Sequence, residues 1–173
     1  CKDARAAFDK GIECILNTQI KKDGKLMVWC AQHDEVTLLP AKARAYELPS
    51  FSGSESYGIV KLLMSLPNPS QRIIDAIEGA VAWFEASKIE GIGYQFFTNE
   101  EGKKDYRMVP CPEGEKCPPL WARFYTLEDN RPFFCGRDGV MKFDVSEIEY
   151  ERRTGYSWYN GNGEKLQRDY QKW

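Results

Sequence analysis

The chain has 173 residues, of which 42% are hydrophobic and 29% charged, and its formal net charge is −2. This length suits a single domain over residues 1–173, and the composition is that of a globular protein. The acidic balance excludes a general nucleic-acid binder, which carries a large positive excess. No apolar run reaches the roughly 18 residues that a membrane span needs. We therefore expect neither a nucleic acid nor a membrane as partner.

The N-terminal part is predicted to begin with an amphipathic helix over residues 2–18. Apolar side chains recur there at the spacing of one helix face. They are Phe8, Ile12, Ile15 and Leu16. The Lys-Asp-Gly-Lys sequence at 22–25 predicts a turn, and a short apolar run follows at 26–30. Because the chain does not begin with Met and enters this helix at once, we expect it to be a piece of a longer protein.

Two more helices are predicted in the middle of the chain. One begins at Ser54 and ends at the Pro-Asn-Pro sequence 67–69, and the next has Ser70 as its N-cap. From Gly91 onward the sequence favours short strands and long loops, with one more short helix over 144–153. No strand alternates with the helices as in a βαβ fold, so the pattern indicates a mainly α protein of helical hairpins.

The cysteines and the single histidine predict little chemistry. Cys111 and Cys117 flank a tight loop, which favours a small disulfide in an oxidising compartment. Cys14 and Cys30 are interpreted as buried free thiols. His33 follows an apolar stretch, and we expect it to hold local structure rather than to act in acid–base catalysis. No spacing of Cys and His fits structural zinc.

One candidate binding loop lies between Pro40 and Pro49. It contains Lys42, Arg44 and Tyr46, so it is either an anion-binding loop or a solvated loop with surface ion pairs.

A second candidate stretch, residues 120–159, sets arginines among many aromatic residues. The arginines are Arg123, Arg131, Arg137, Arg152 and Arg153. Guanidinium forks and aromatic faces suit flat, carboxylate-bearing ligands, and sugar acids lead that class. The alternatives are an Arg–Asp pair that closes the Gly136–Gly139 turn and, for Arg152 and Arg153, a solvated helix face.

Four blocks of sequence, in order, resemble the pectate lyases of polysaccharide lyase family 10. They read WCAQHDEVTLLPAKARAYELPSFSGSES, YGIVKLLMSLPNPSQRIIDAIEGAVAWFE, LWARFYTLEDNRPFFCGRDG and ERRTGYSWY. The likeness extends from about Ala7 to Tyr159, and residues 99–119 are its least family-like part. The resemblance implies an incomplete (α/α) toroid of helical hairpins, with short strands and with long loops that form a cleft at one end.

The resemblance also implies the activity. Family members cleave polygalacturonate by β-elimination with Ca²⁺, which stabilises charge on the uronate carboxylate while a base takes the C5 proton. Members are much longer than this chain, so it corresponds to the C-terminal portion of the catalytic domain, without its N-terminal half. Because the family's Ca²⁺-binding carboxylates lie in that other half, the metal ligands in this chain are unknown. Asp34 and Asp138 fall short of the six to eight oxygens that Ca²⁺ takes.

By the same resemblance the base is an arginine, and the matching position is Arg44. A guanidinium is almost always protonated, so this role requires that Arg44 be desolvated or lie beside another cation. The residues predicted to bind substrate are Lys42, Tyr46, Arg123, Arg131, Arg137 and Arg152.

Three hypotheses follow for the function. The first is a pectate lyase with Ca²⁺ as cofactor, the second a non-catalytic binder of acidic oligosaccharides, and the third an inactive partial chain. The expected partner is polygalacturonate or an oligogalacturonide, and we expect a monomer. The polymeric substrate implies an extracellular or periplasmic location.

Overall fold

The structure, a computed structural model, describes residues 2–173. The helices are α1 (Lys2–Thr18), α2 (Gly53–Met64), α3 (Gln71–Ala86), α4 (Tyr150–Gly155) and α5 (Asn162–Lys172). The strands are β1 (Lys21–Lys22), β2 (Lys25–Leu26), β3 (Phe51–Ser52), β4 (Ile92–Thr98), β5 (Lys104–Pro110), β6 (Trp121–Ala122), β7 (Phe124–Tyr125), β8 (Pro132–Cys135), β9 (Met141–Lys142) and β10 (Tyr159–Asn160). A 3-10 turn at Val145–Glu147 precedes α4.

The expected mainly α toroid is wrong. The protein is 38% helical and 21% strand, and its strands form several antiparallel sheets. The four-stranded sheet has the order β3–β7–β8–β9, and the pairs β1–β2, β4–β5 and β6–β10 stand separately. Most of these strands have two residues, which is too short for an alternation of apolar and polar side chains to show in the sequence.

The helical part of the protein packs around one hydrophobic core. α1, α2 and α5 all contact α3, and the core between them includes Ile77, Phe84 and Leu166. At Gly163 in α5, an added Cβ would overlap the indole of Trp121. Glycine at this position therefore lets α5 approach the core closely.

A second, mostly aromatic core lies on the other side of the four-stranded sheet. It contains Phe124, Phe133, Phe134 and Trp158, with the turn before α4 packed against it. This core supports α4 and the adjoining segment up to Tyr159. The arginines predicted from the sequence are carried by the elements around it.

Several local predictions can be checked against these elements. The helix over 2–18, the turn at 22–25 and the two middle helices are confirmed. The helix predicted over 144–153 is a 3-10 turn followed by α4. Cys111 and Cys117 form the expected disulfide, and Cys30 is a buried free thiol. Cys14 is a free thiol but exposed, because it points away from the side of α1 that contacts α3.

Within residues 2–173, no helix is long and apolar enough to cross a membrane.

Candidate functional site

The loop before β3 fixes Arg44 by an ion pair with Glu47. The Arg44 Nε donates to Glu47 Oε2 at 2.8 Å, and its Nη2 contacts the other carboxylate oxygen. The Glu47 backbone N–H donates to the Arg44 carbonyl at 3.0 Å, so the turn itself holds the two side chains together. Glu47 is only 7% exposed, whereas the Arg44 side chain is 59% exposed.

This ion pair fixes the charge of both groups. The hydrogen bonds from Arg44, with one from the Tyr156 hydroxyl at 2.8 Å, lower the pKa of Glu47 to about 2 against the opposing effect of burial. The same contacts raise the pKa of Arg44 above its ordinary value. Burial, followed by the hydrogen bond to Glu47, raises the pKa of Tyr156 to about 12. Arg44 is therefore protonated in this conformation, and Glu47 is ionised.

Three arginines pack against two tyrosine rings. Tyr46 and Tyr156 pack edge to face, with centroids 6.0 Å apart. The Arg44 guanidinium lies 5.0 Å from the Tyr46 centroid. That of Arg152 lies 3.7 Å from Tyr46 and 4.5 Å from Tyr156, and that of Arg123 lies 4.5 Å from Tyr156. We call Arg44, Tyr46, Glu47, Arg123, Arg152 and Tyr156 the arginine–tyrosine cluster.

Two of these arginines keep unused hydrogen-bond donors. Arg123 pairs with Glu55 through Nη2 at 2.5 Å, which leaves its Nε and the Glu55 Oε2 buried without a partner. Arg152 is 8% exposed, and its Nε and Nη2 have no partner either. Unpaired buried charges are costly, and these atoms are enclosed by protein, so a ligand reaches them only if the surrounding side chains move.

The other predicted binding residues lie at the rim or elsewhere. Arg137 pairs with Glu151, an exposed contact that raises the pKa of Arg137. The Lys42 ammonium lies close to Gly139, 4.0 Å from the position that a Cβ would occupy there. Gly139 belongs to the same turn as Arg137. Arg131 instead stacks on Phe143 at 3.8 Å, outside the cluster.

His33 has a structural role. Its Nε2 accepts from the Cys30 backbone N–H at 3.1 Å, and its Nδ1 lies 2.9 Å from the Leu38 carbonyl, to which it donates. Burial lowers the pKa of His33. The neighbouring Asp34 accepts hydrogen bonds from Val36 and Thr37 and so caps its own turn.

A cavity of about 690 Å³ lies away from these groups, between α3 and the β1–β2 hairpin. Its walls include Met27, Phe51 and Trp83, with acidic and basic side chains at the rim. None of the cluster's side chains lines it, so the chemistry is assigned to the cluster and not to this cavity.

Comparisons with known proteins identify the family of this chain. The model of the family described as pectic acid lyase matches residues 1–167. The chain belongs to the pectic acid lyase family. The resemblance seen in the four sequence blocks is thereby confirmed.

Two solved lyases are similar to this member of the family. A family 10 polysaccharide lyase from Cellvibrio cellulosa superposes with a TM-score of 0.82 at 40% identity. An aspartate-to-alanine mutant of a family 10 lyase from the same organism, in complex with trigalacturonic acid, gives a TM-score of 0.81 at 40% identity. Each match covers 97% of this chain and 50% of the solved chain, so this pectic acid lyase sequence spans half the length of those enzymes. No curated protein sequence matches it significantly.

The part of the chain that the structure describes does not form a complete site for calcium, the cofactor that the resemblance implies. Ca²⁺ takes six to eight oxygen ligands, and nowhere in residues 2–173 do three His, Cys, Asp or Glu side chains come together to hold a metal. Glu47 and Glu55 each form an ion pair with an arginine.

Sequence reasoning missed the tyrosine and the glutamates of the site. Tyr156 lies in the aromatic-rich sequence GYSWYN, which signalled an unusual surface but not a partner for Arg123 and Arg152. Glu47 and Glu55 stood near Arg44 in the sequence, yet nothing there indicated which arginine each would pair with. Trp121, which lies in the same aromatic-rich stretch of sequence as Tyr156, is fully buried in the core.

Proposed function

We propose that this chain forms the galacturonate-binding part of a pectate lyase, which cleaves polygalacturonate by β-elimination. The observation that carries the proposal is the gathering of Arg44, Arg123 and Arg152 around one tyrosine pair. A related lyase with 40% identity has been solved with trigalacturonic acid, which supports an oligogalacturonide as the ligand.

The buried arginine gives the cluster its binding capacity. Arg152 has two buried donors without partners, and carboxylate oxygens of a uronate suit them once the side chains that enclose them move. Arg123 offers one more unpaired donor beside Glu55. The faces of Tyr46 and Tyr156 are mostly used by the guanidinium groups, so we assign the rings to orienting the arginines.

The same positive charge suits the reaction. Removal of the C5 proton builds negative charge on the adjoining carboxylate, and cationic donors that are already in place stabilise that charge. The bond from C4 to the leaving oxygen then breaks, and the new double bond lies between C4 and C5. Arg123 and Arg152 are proposed to hold the carboxylate during this step.

Arg44 is the proposed base, and its ion pair sets a condition on that role. While Glu47 holds it, Arg44 is protonated and cannot accept a proton. We therefore propose that Arg44 acts as a base only after its contact with Glu47 is broken and the bound substrate has desolvated it beside the other guanidinium groups of the cluster. Before this it serves as a cation beside the substrate. Ca²⁺ is proposed as the cofactor of the whole lyase.

The disulfide supports the proposed location. Cys111 and Cys117 close a short loop, and disulfides persist in oxidising compartments. Together with a polymeric substrate, this favours an extracellular or periplasmic protein.

Calorimetry with trigalacturonate tests the binding role. Arg152→Gln should weaken binding by about tenfold or more, because a hydrogen bond to a charged group contributes about 1.5–3 kcal/mol. Arg131→Gln is the matched control, since Arg131 stacks on Phe143 outside the cluster, and it should leave the affinity unchanged. Equal losses in both variants, with both folded by circular dichroism, would refute the cluster as the site.

Turnover separates the enzyme from a simple binder. The unsaturated product absorbs ultraviolet light, so the wild-type chain and Arg44→Ala are compared on polygalacturonate. A signal in the wild type that is absent from Arg44→Ala supports the base. Full activity in Arg44→Ala rules the base out. Binding without turnover in either protein fits both the non-catalytic binder and the partial chain, and turnover by a protein of the length of the solved lyases separates the two.

A further inference from the structure

A two-stranded arm exposes aromatic side chains that the proposed mechanism does not use. β4 and β5 pair antiparallel over seven residues each, from Ile92 opposite Pro110 to Thr98 opposite Lys104, and we call this pair the aromatic hairpin. Phe96 is 75% exposed on β4, and Tyr94 and Phe97 on the same strand are also exposed. A cluster of exposed large aromatic groups marks a binding surface more often than chance would.

The aromatic hairpin is tied firmly to the protein. Isolated two-stranded hairpins are marginally stable in water, and this one has several anchors. Arg153 in α4 pairs with the buried Asp105 at 2.5 and 2.9 Å. The Tyr106 hydroxyl donates to the Arg153 carbonyl at 3.1 Å, and that of Tyr150 donates to the Lys104 carbonyl at 3.0 Å. The exposed rings are therefore displayed on a fixed support.

These anchors place the hairpin next to the arginine–tyrosine cluster. The residue before Arg153 is Arg152, so α4 contacts the cluster through one arginine and the hairpin through the next. Tyr94 also donates to the carbonyl of Tyr159 at 3.3 Å, three residues beyond Tyr156. The hairpin therefore adjoins the cluster through α4 and through the segment that carries Tyr159.

The surface of the hairpin suits an acidic sugar chain. Tyr94 and Phe96 stack with centroids 5.6 Å apart and planes 9° apart, which leaves the outer face of the stack open. On the other face of the hairpin, the Arg107 guanidinium lies 5.7 Å from the Phe97 centroid and donates to Gln95 at 2.6 Å. Within residues 2–173, Arg107 has no carboxylate partner, so its charge is available to an anion on that face.

We propose that the aromatic hairpin is a second polygalacturonate-binding surface, on which sugar units that extend beyond the arginine–tyrosine cluster pack against the rings of β4. The choice of polymer rests on the proposed function. The unpaired outer edge of β4 also allows pairing with a second copy of the chain. Helix α4, which contacts both the cluster and the hairpin, favours the sugar chain.

The test compares a polymer with a short oligomer. Binding of the wild-type chain, Phe96→Ala and Phe8→Ala is measured with polygalacturonate by affinity electrophoresis and with trigalacturonate by calorimetry. Phe8 is a matched control, because it is also an exposed phenylalanine but lies on α1. Phe96→Ala should bind the polymer about threefold to tenfold more weakly, the range for loss of an aromatic contact. It should bind trigalacturonate as the wild type does, and Phe8→Ala should match the wild type on both.

The outcomes separate the two proposals. Unchanged polymer binding by Phe96→Ala overturns the hairpin surface, and so does an equal loss in Phe8→Ala. A wild type that fails to bind polygalacturonate overturns it as well. If Phe96→Ala loses polymer affinity while the wild type does not bind trigalacturonate, the hairpin surface is supported. The arginine–tyrosine cluster is then refuted as a binding site. If sedimentation shows a dimer that Phe96→Ala dissociates, with polymer binding unchanged, the hairpin is an interface between copies and the proposal fails.

Discussion

Replacing Glu47 by glutamine should destabilise the protein in a pH-dependent way. Glu47 is almost fully buried and accepts hydrogen bonds from Arg44 and from the Tyr156 hydroxyl. Glu47→Gln keeps the size of the side chain but removes its charge, and it leaves the Arg44 guanidinium without an ionic partner. The loss is therefore electrostatic and not a loss of volume.

The pKa of Glu47 sets the size of this effect. Lowering it from 4.5 to about 2 corresponds to about 3 kcal/mol, at 1.36 kcal/mol per pH unit. This is an upper bound, because the Arg44 side chain is 59% exposed and water solvates it when Glu47 is changed. We expect a loss of about 1–2 kcal/mol at neutral pH.

The direction of the pH dependence follows from the lowered pKa. The folded protein binds a proton at Glu47 less readily than the unfolded chain does, so this stabilisation is complete above the unfolded pKa of about 4.5. It is lost as the pH falls from about 4.5 to about 2. At pH 3, more than half of the difference between wild type and Glu47→Gln should have disappeared.

Urea unfolding at pH 7 and pH 3 provides the measurement. Glu164→Gln is the matched control, because Glu164 forms an exposed ion pair with Arg168 at 3.2 Å and should contribute less than about 0.5 kcal/mol at either pH. In the Arg44→Gln background, Glu47→Gln should cost much less, since the partner is already gone. The reasoning is refuted if the gap between wild type and Glu47→Gln is the same at both pH values.

Three further predictions concern the fold around the site. Gly163→Ala should lower stability by about 1–3 kcal/mol in thermal unfolding, because its Cβ would overlap a buried indole; Gly58→Ala, with no atom within 4 Å, should be neutral or slightly stabilising. Arg153→Ala should lower the free energy of unfolding by about 3–5 kcal/mol in urea, because it leaves Asp105 buried and unpaired. The double variant with Asp105→Ala should be more stable than Arg153→Ala alone, and the opposite order would contradict this. Stability should fall as the pH drops below about 6.5, because burial lowers the pKa of His33, the only histidine; if that slope in the urea midpoint survives in His33→Asn, it has another source.

The helices were predictable because their packing repeats every turn. Ile77 and Phe84 lie seven residues apart on α3 and are both fully buried, which is the pattern that the sequence shows. The strands are different, because β6 and β7 have two residues each and owe their conformation to neighbours far along the chain. Counting only periodic segments therefore overstated the helical character of the protein.

Helix α5 is a helix that the periodicity of the sequence did not predict. Its sequence is mostly polar, and residues after Asn160 carried no clear signal. Only Gly163 and Leu166 are buried there, and the reason is tertiary: the glycine lets the helix approach Trp121. A helix whose burial depends on one glycine and one leucine does not show a periodic apolar face.

The candidate site was predictable in composition but not in pairing. A local excess of arginine among aromatic residues is enough by itself to indicate an anion-binding surface. Whether a given arginine joins that surface depends on the fold: Arg152 lies at the centre of the cluster, whereas Arg131 stacks on Phe143. In the amino-acid sequence alone, nothing distinguishes these two arginines as candidates for binding.

The pairing also determines how the site can gain affinity. Arg44, Arg123 and Arg137 each already hold a glutamate, so a uronate that binds them must exchange one carboxylate for another, with little net gain. Arg152 differs, because within residues 2–173 it has no carboxylate partner and two of its donors are unpaired, whereas Arg123 has one unpaired donor; a carboxylate that reaches Arg152 removes a standing cost. Most of the binding free energy of the cluster should therefore come from Arg152, and the paired arginines should contribute mainly to the placement of the sugar.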